Sequence, residues 1–134
     1  MTGSHELVNP EGLPEPAGYT HAIVAAPGRL VFVAGQIASD TDGVCRGDTI
    51  AEQLELALQN VATALRAVGG APEHVVSMQI YTTDIEAYRA GRREIGERYR
   101  TVFGRHYPAI SLLEVSNLYD PAAVVEIVCT AVIP

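Results

Sequence analysis

Nowhere in this chain is there a run of basic residues. The sequence holds 9 Lys+Arg against 16 Asp+Glu, a formal net charge of −7, with pI about 4.9. Arg89, Arg92 and Arg93 come nearest to a cluster, but Glu86, Glu94 and Glu97 are interleaved with them, as on a solvated helix surface. A surface of this sign repels phosphate backbones, which argues against nucleic acid as a partner. Long apolar runs are missing too. None could span a bilayer, and the N-terminus lacks the apolar stretch of a signal peptide, so the expectation is a cytoplasmic protein with no membrane partner. There are only two cysteines, Cys45 in a polar loop and Cys129 in an apolar run, and neither has metal-ligand spacing. His5, His21, His74 and His106 are scattered. No P-loop or dinucleotide pattern occurs, and no nucleophile elbow surrounds Ser111.

What is present suits one soluble globular domain over 1–134. Hydrophobic residues make up 48% of the 134 positions and charged residues 19%. Residues 1–18 are rich in Pro, Gly and Glu and lack periodicity, which predicts an extended lead-in. Within it Gly3-Ser4-His5 reads either as a tag remnant or as a loose end.

His21–Ala26 and Leu30–Gly35 read as strands. Pro27-Gly28 between them predicts a hairpin with a type II turn, in which glycine takes positive φ. Gln36–Asp48 is a polar loop. Thr49-x-x-Glu52 is a capping box, and Ile50, Leu54, Leu58, Val61, Leu65 and Val68 recur at helical spacing until Gly69-Gly70 ends the pattern. Val75–Thr83 reads as a strand with Val76, Met78 and Ile80 on one face. A second helix is predicted from Thr83-x-x-Glu86 to Gly104, with Tyr88, Ile95, Tyr99 and Val102 inward and Glu94/Arg98 and Arg93/Glu97 paired at i,i+4. Strands Ile110–Val115 and Val124–Ile133 close the order β-β-α-β-α-β-β, an α+β two-layer sandwich. The last strand is apolar on both faces, which predicts self-association.

Several motifs fall in order along this pattern. They are Ala34-Gly35-Gln36 after the second strand, Gly69-Gly70 after the first helix, Thr83-Asp84 opening the second, Pro108-Ala109-Ile110-Ser111 on the penultimate strand, and Val125-Glu126-Ile127 on the last. Together they resemble the RidA/YjgF/UK114 family of enamine/imine deaminases from roughly Asn9 to Val132. The resemblance implies a chorismate-mutase-like fold and a homotrimer. Its sheets would form an inner barrel, and small-molecule clefts would lie between subunits. It also implies hydrolysis of enamines and imines such as 2-aminoacrylate, with release of ammonia and a 2-keto acid and without a cofactor.

The resemblance carries roles onto particular residues. Tyr19 matches a tyrosine that hydrogen-bonds substrate or donates a proton, and Glu126 a glutamate that orients or activates water; these two are the catalytic candidates. Ile110, Ser111, Leu112, Ala34 and Gly35 fall on substrate-binding positions. The family signature is Pro-Ala-Arg-Ser, and its arginine grips the substrate's carboxylate. Here Ile110 stands in that place, Ala34 replaces a common serine, and Leu112 a cysteine. Loss of a buried bidentate pair costs about 2–5 kcal/mol. Turnover of 2-aminoacrylate should therefore be weak or absent unless Arg92, Arg93, Arg98 or Arg105 reaches in. Two functions fit: a deaminase whose substrate recognition has changed, or a non-catalytic module that binds a metabolite or a protein in the same cleft.

Overall fold

In the computed structural model, which describes residues 4–134, a four-stranded sheet carries the helices on one face. The elements in chain order are β1 (Glu6–Val8), β2 (Ala22–Val24), β3 (Arg29–Gln36), α1 (Ile50–Ala67), a 3₁₀ turn (Pro72–His74), β4 (Val75–Thr82), α2 (Ile85–Ala90), α3 (Arg92–Phe103), β5 (Ala109–Glu114) and β6 (Val125–Ile133). The large sheet has the order β3-β6-β4-β5; β4 and β5 are parallel and the other pairs antiparallel. The expected two-layer α+β arrangement is present. Leu54, Leu58, Val61 and Leu65 of α1 pack with Ile95, Tyr99 and Phe103 of α3 on Val125, Ile127 and Cys129 of β6.

The first helix forms where its pattern places it, with the reciprocal half of the capping box shifted by one residue. Thr49 Oγ1 accepts from the Glu52 N–H at 3.2 Å, and Glu52 Oε2 accepts from the Asp48 N–H at 2.8 Å. At the other end Gly69 takes φ 84°, its N–H reaches Arg66 O, and the Gly70 N–H reaches Leu65 O, a Schellman closure. Arg29 adds a bond of 2.9 Å to Val68 O at this negative helix end.

Four expectations are corrected. The predicted hairpin does not form: β2 pairs with β1, and β3 pairs with β6. Gly28 does not take positive φ. It is needed for close approach, because a Cβ there would collide with Ile133 O and come within 2.8 Å of Pro134 Cα. The lead-in is more ordered than its composition implies. Gly3 lies outside the described residues, but His5 accepts from the Ala26 N–H on Nδ1 and bonds Val132 O through Nε2 at 2.9 Å. The second helix is two helices, broken at Gly91. Asp84 rather than Thr83 caps it, accepting from Ala87 N–H at 3.0 Å, while Glu114 Oε1 takes the Ile85 N–H. Finally, a register shift between Val75 and Ser77 moves Val76 off the buried face; Val75, Met78, Ile80 and Thr82 face the helices.

Three buried or half-buried side chains fasten the loops. Gln53 holds Gly47 O, Ala122 O and Val124 N–H. Asn60 holds Ile37 O and Ser39 O, and Thr82 Oγ1 donates to Val124 O at 2.7 Å. Among the described residues no helix is long and apolar enough to cross a membrane.

Candidate functional site

Alternation along the strands divides the candidate residues between the two faces of the sheet. On β5, Ile110 and Leu112 pair with Met78 and Ile80, whose side chains are buried toward the helices. Ser111 therefore points to the opposite, open face. On β6, Val125 and Ile127 are buried, so Glu126 also projects to the open face, beside Tyr81 of β4.

Tyr19, Ile110 and Leu112 come together at a cleft of about 380 Å³ on the helix side. The N-terminal segment is stapled to the start of β5: Thr20 Oγ1 donates to Tyr107 O at 2.5 Å, and Thr20 N–H to Pro108 O at 3.1 Å. This brings Tyr19, half-buried, to the cleft edge, where it packs edge-on against His21 with ring centroids 5.0 Å apart. Ile110 is half-buried and packs on the core; Leu112 is 40% exposed.

The remaining wall comes from α2 and α3. Tyr99 stacks on Tyr107, centroids 5.2 Å apart and planes 10° from parallel, and its hydroxyl donates to His106 O at 2.6 Å. Burial pushes the Tyr88 phenol up to about 12 and the Tyr99 phenol further still, so both line the cleft as neutral groups. Arg92, Gly96 and Arg100 line it as well. Of the four arginines considered as replacements for the missing one, only Arg92 borders the cleft. Arg98 is turned to Glu55 of α1 at 3.0 Å and to Glu94 at 3.6 Å, and Arg93 to Glu97 at 3.7 Å. Arg105 is not part of the lining.

A second cluster lies on the open face. Ala34 and Gly35 occupy the bulge where the β3–β6 register shifts between Val33 and Gln36. The carboxylate of Glu126 rests on Gly35: a Cβ at that position would collide with Oε2 and lie 2.9 Å from Cδ. Glu126 is half-buried and makes no ion pair among the described residues. Around it the open face carries Phe32, 76% exposed, with Leu30 and Leu113 also exposed. One protomer thus holds two separate groups, Tyr19 with Ile110 and Leu112, and Glu126 with Ala34 and Gly35. Ser111 shares the second group's face.

Arg100 was not foreseen from the sequence. Its signal was available: Arg92, Gly96 and Arg100 stand four residues apart and share a helix face. Among the described residues no group of His, Cys, Asp and Glu is arranged to hold a metal ion.

Comparison with known proteins gives a consistent result. The model of the family described as Endoribonuclease L-PSP matches residues 12–133. A RutC family protein, PH0854 of Pyrococcus horikoshii, is 34% identical over 116 residues, covering 84% of this chain and 86% of its own. RutC family protein UK114 of Drosophila melanogaster is 33% identical over 118 residues, covering 86% and 79%. Among solved structures, the Rid family protein YyfB of Yersinia pestis superposes with a TM-score of 0.81 at 28% identity, covering 98% of this chain and 100% of that one. A YjgF/YER057c/UK114 family member from Mycobacterium tuberculosis gives 0.64 at 32% identity, covering 97% and 100%.

Proposed function

The chain belongs to the RidA/YjgF/UK114 family, whose model carries the description Endoribonuclease L-PSP, and from that premise we propose that it hydrolyses an enamine or imine in a cleft between subunits of a homotrimer, with substrate recognition altered by Ile110. The observation that carries this reading is Glu126 seated on Gly35 at the open face, apart from the Tyr19 cleft. Each group lacks what the other holds. A neighbouring copy laid on the open face would cover Leu30, Phe32 and Leu113 and bring one subunit's Glu126 to another's Tyr19.

The chemistry asked of these residues is modest. A C=N bond is already electrophilic. Water adds to its carbon while Glu126 takes a proton from that water, and the nitrogen gains a proton from the Tyr19 side. The C–N bond of the resulting carbinolamine then breaks. Ammonia leaves and a carbonyl remains. Holding both partners in place does most of the work, since the reaction is close to spontaneous. Ile110 offers no cation to a carboxylate beside the C=N group, so a three-carbon enamine acid is held poorly.

The test is ammonia release from 2-aminoacrylate and from a panel of bulkier imines generated in place by an amino-acid oxidase, with wild type, Ile110→Arg and Glu126→Ala in parallel. Turnover of a bulkier imine by wild type, lost in Glu126→Ala, supports the reading. Silence of wild type on the whole panel, with activity gained in Ile110→Arg, supports the second reading, a binding module that keeps the cleft without the reaction. That second reading is favoured by the packing of Ile110 on the core, which gives the cleft an apolar floor. RNA cleavage, which the family description names, is disfavoured by the net charge of −7.

A further inference from the structure

We propose that Arg92 and Arg100 form an anion clamp on the helix wall of the cleft, and that its ligand is an acid with a planar or branched apolar body. The assignment of a ligand class rests on the imine-hydrolase reading above; the clamp itself rests on the following geometry.

Arg92, Gly96 and Arg100 occupy one face of α3, and all three border the cleft. Glycine in a helix interior is unfavourable relative to alanine, and Gly96 has no positive φ to excuse it. Its use is spatial. A Cβ on Gly96 would lie 3.3 Å from Nη1 of Arg100. The Arg100 guanidinium thus lies back over the glycine, in the N-terminal direction that helical side chains favour. That is one turn, about 5.4 Å, closer to Arg92. The bare glycine leaves room for the Arg100 guanidinium to lie toward Arg92 along the cleft that both border.

Neither arginine is committed elsewhere. Arg46, Arg89, Arg93 and Arg98 have carboxylate partners, Arg29 holds Val68 O, and Arg66 holds Thr63. Among the described residues the side chains of Arg92, Arg100 and Arg105 have neither an ion pair nor a hydrogen bond, and of these three Arg92 and Arg100 border the cleft. Two uncommitted guanidinium groups facing a cleft suit a carboxylate, which they grip bidentately. The rest of the lining suits something flat and apolar: Tyr107, stacked on Tyr99 of the helix wall, with Ile110 and Leu112 of β5. At about 380 Å³ the cleft has room for roughly a dozen waters at ~30 Å³ each, far more than a three-carbon acid would fill. Relative to the family arrangement, the cation has moved from the strand floor to the helix wall. The acid group of the ligand therefore sits away from Ile110.

The experiment is calorimetric titration of the full chain with phenylpyruvate and with its uncharged counterpart phenylacetone, neither of which requires turnover. The expected result is a preference for phenylpyruvate of at least about tenfold, cut about tenfold by Arg92→Gln or Arg100→Gln and weakened by Gly96→Ala, with Arg93→Gln unchanged. Circular dichroism of each variant verifies that the exposed substitutions leave the fold intact. Equal binding of the two compounds, no binding of phenylpyruvate, or full binding by Arg92→Gln and Arg100→Gln would overturn the clamp. Clamped binding without ammonia release from any imine would instead sink the hydrolase reading and leave the clamp standing. Imine turnover indifferent to both arginines would do the reverse.

Discussion

The carboxylate of Glu126, on β6, occupies the place a Cβ on Gly35 of β3 would take, in the same sheet. The absent side chain of one residue is the seat of the other. The obstruction that a methyl group would meet is the end of a flexible side chain, not backbone.

Gly35→Ala should therefore keep the fold and move the carboxylate. The expected outcome is an unfolding midpoint near that of wild type, with turnover of the best imine reduced about tenfold or more. Combining it with Glu126→Ala should add little, because both changes remove the same group from the same place. Full activity in Gly35→Ala would separate Glu126 from the reaction.

Gln53 should behave in the opposite way. It is 5% exposed and satisfies three backbone groups in two loops. Gln53→Leu keeps the volume but leaves those groups unpaired, and should cost about 2–3 kcal/mol in a urea unfolding experiment. A change within about 0.5 kcal/mol would mean that water replaces the side chain without loss.

Phe32→Asp addresses the assembly. The side chain is 76% exposed on the open face, so the charge costs little within one protomer. If copies meet through this face, light scattering should report a trimer for wild type and a monomer for Phe32→Asp. A wild-type monomer would remove the inter-subunit cleft from the account.

Alkaline pH should weaken the fold through Tyr88. Its phenol has an ordinary value of 10.0 when exposed and is pushed up to about 12 by burial. The folded value is the higher one, so the contribution to stability is complete below 10 and is lost as pH rises toward about 12. Urea midpoints should fall across that window, and Tyr88→Phe should lessen the fall. An unchanged slope in Tyr88→Phe would assign the effect to other tyrosines such as Tyr99.

The parts of the fold legible in the sequence are those set by local chemistry. Helix α1 announces both its ends, Thr49-x-x-Glu52 and Gly69-Gly70; the Thr49 cap and the Gly69-Gly70 closure form as read, while Glu52 reaches one residue further back, to the Asp48 N–H. Strand pairing was less legible. Pro27-Gly28 has the composition of a turn, yet its glycine answers to Ile133 and Pro134, more than a hundred positions away. No local pattern carries that information. The break at Gly91 was hidden because Tyr88 and Ile95 keep helical spacing across it. For the candidate site, motif order collected Ile110, Ser111, Leu112, Gly35 and Glu126 into one place. The period of two along a strand separates them onto two faces, and that separation was readable from Ile110-Ser111-Leu112 alone.

The position of β6 bears on how the chain folds. It is the last strand in sequence and a central one in space, flanked by β3 and β4. Its partner β3 begins at Arg29, which pairs with Ile133. The sheet therefore cannot close in stages from its N-terminal side. Until the segment from Val125 onward docks, β3 and β4 each present an open edge to solvent and to other chains. Such a topology has high contact order, so folding should be slow and most exposed to aggregation before this final insertion. A fragment ending at Ala123 should populate a collapsed, helix-containing state that binds a hydrophobic dye and lacks the cooperative transition of the whole chain.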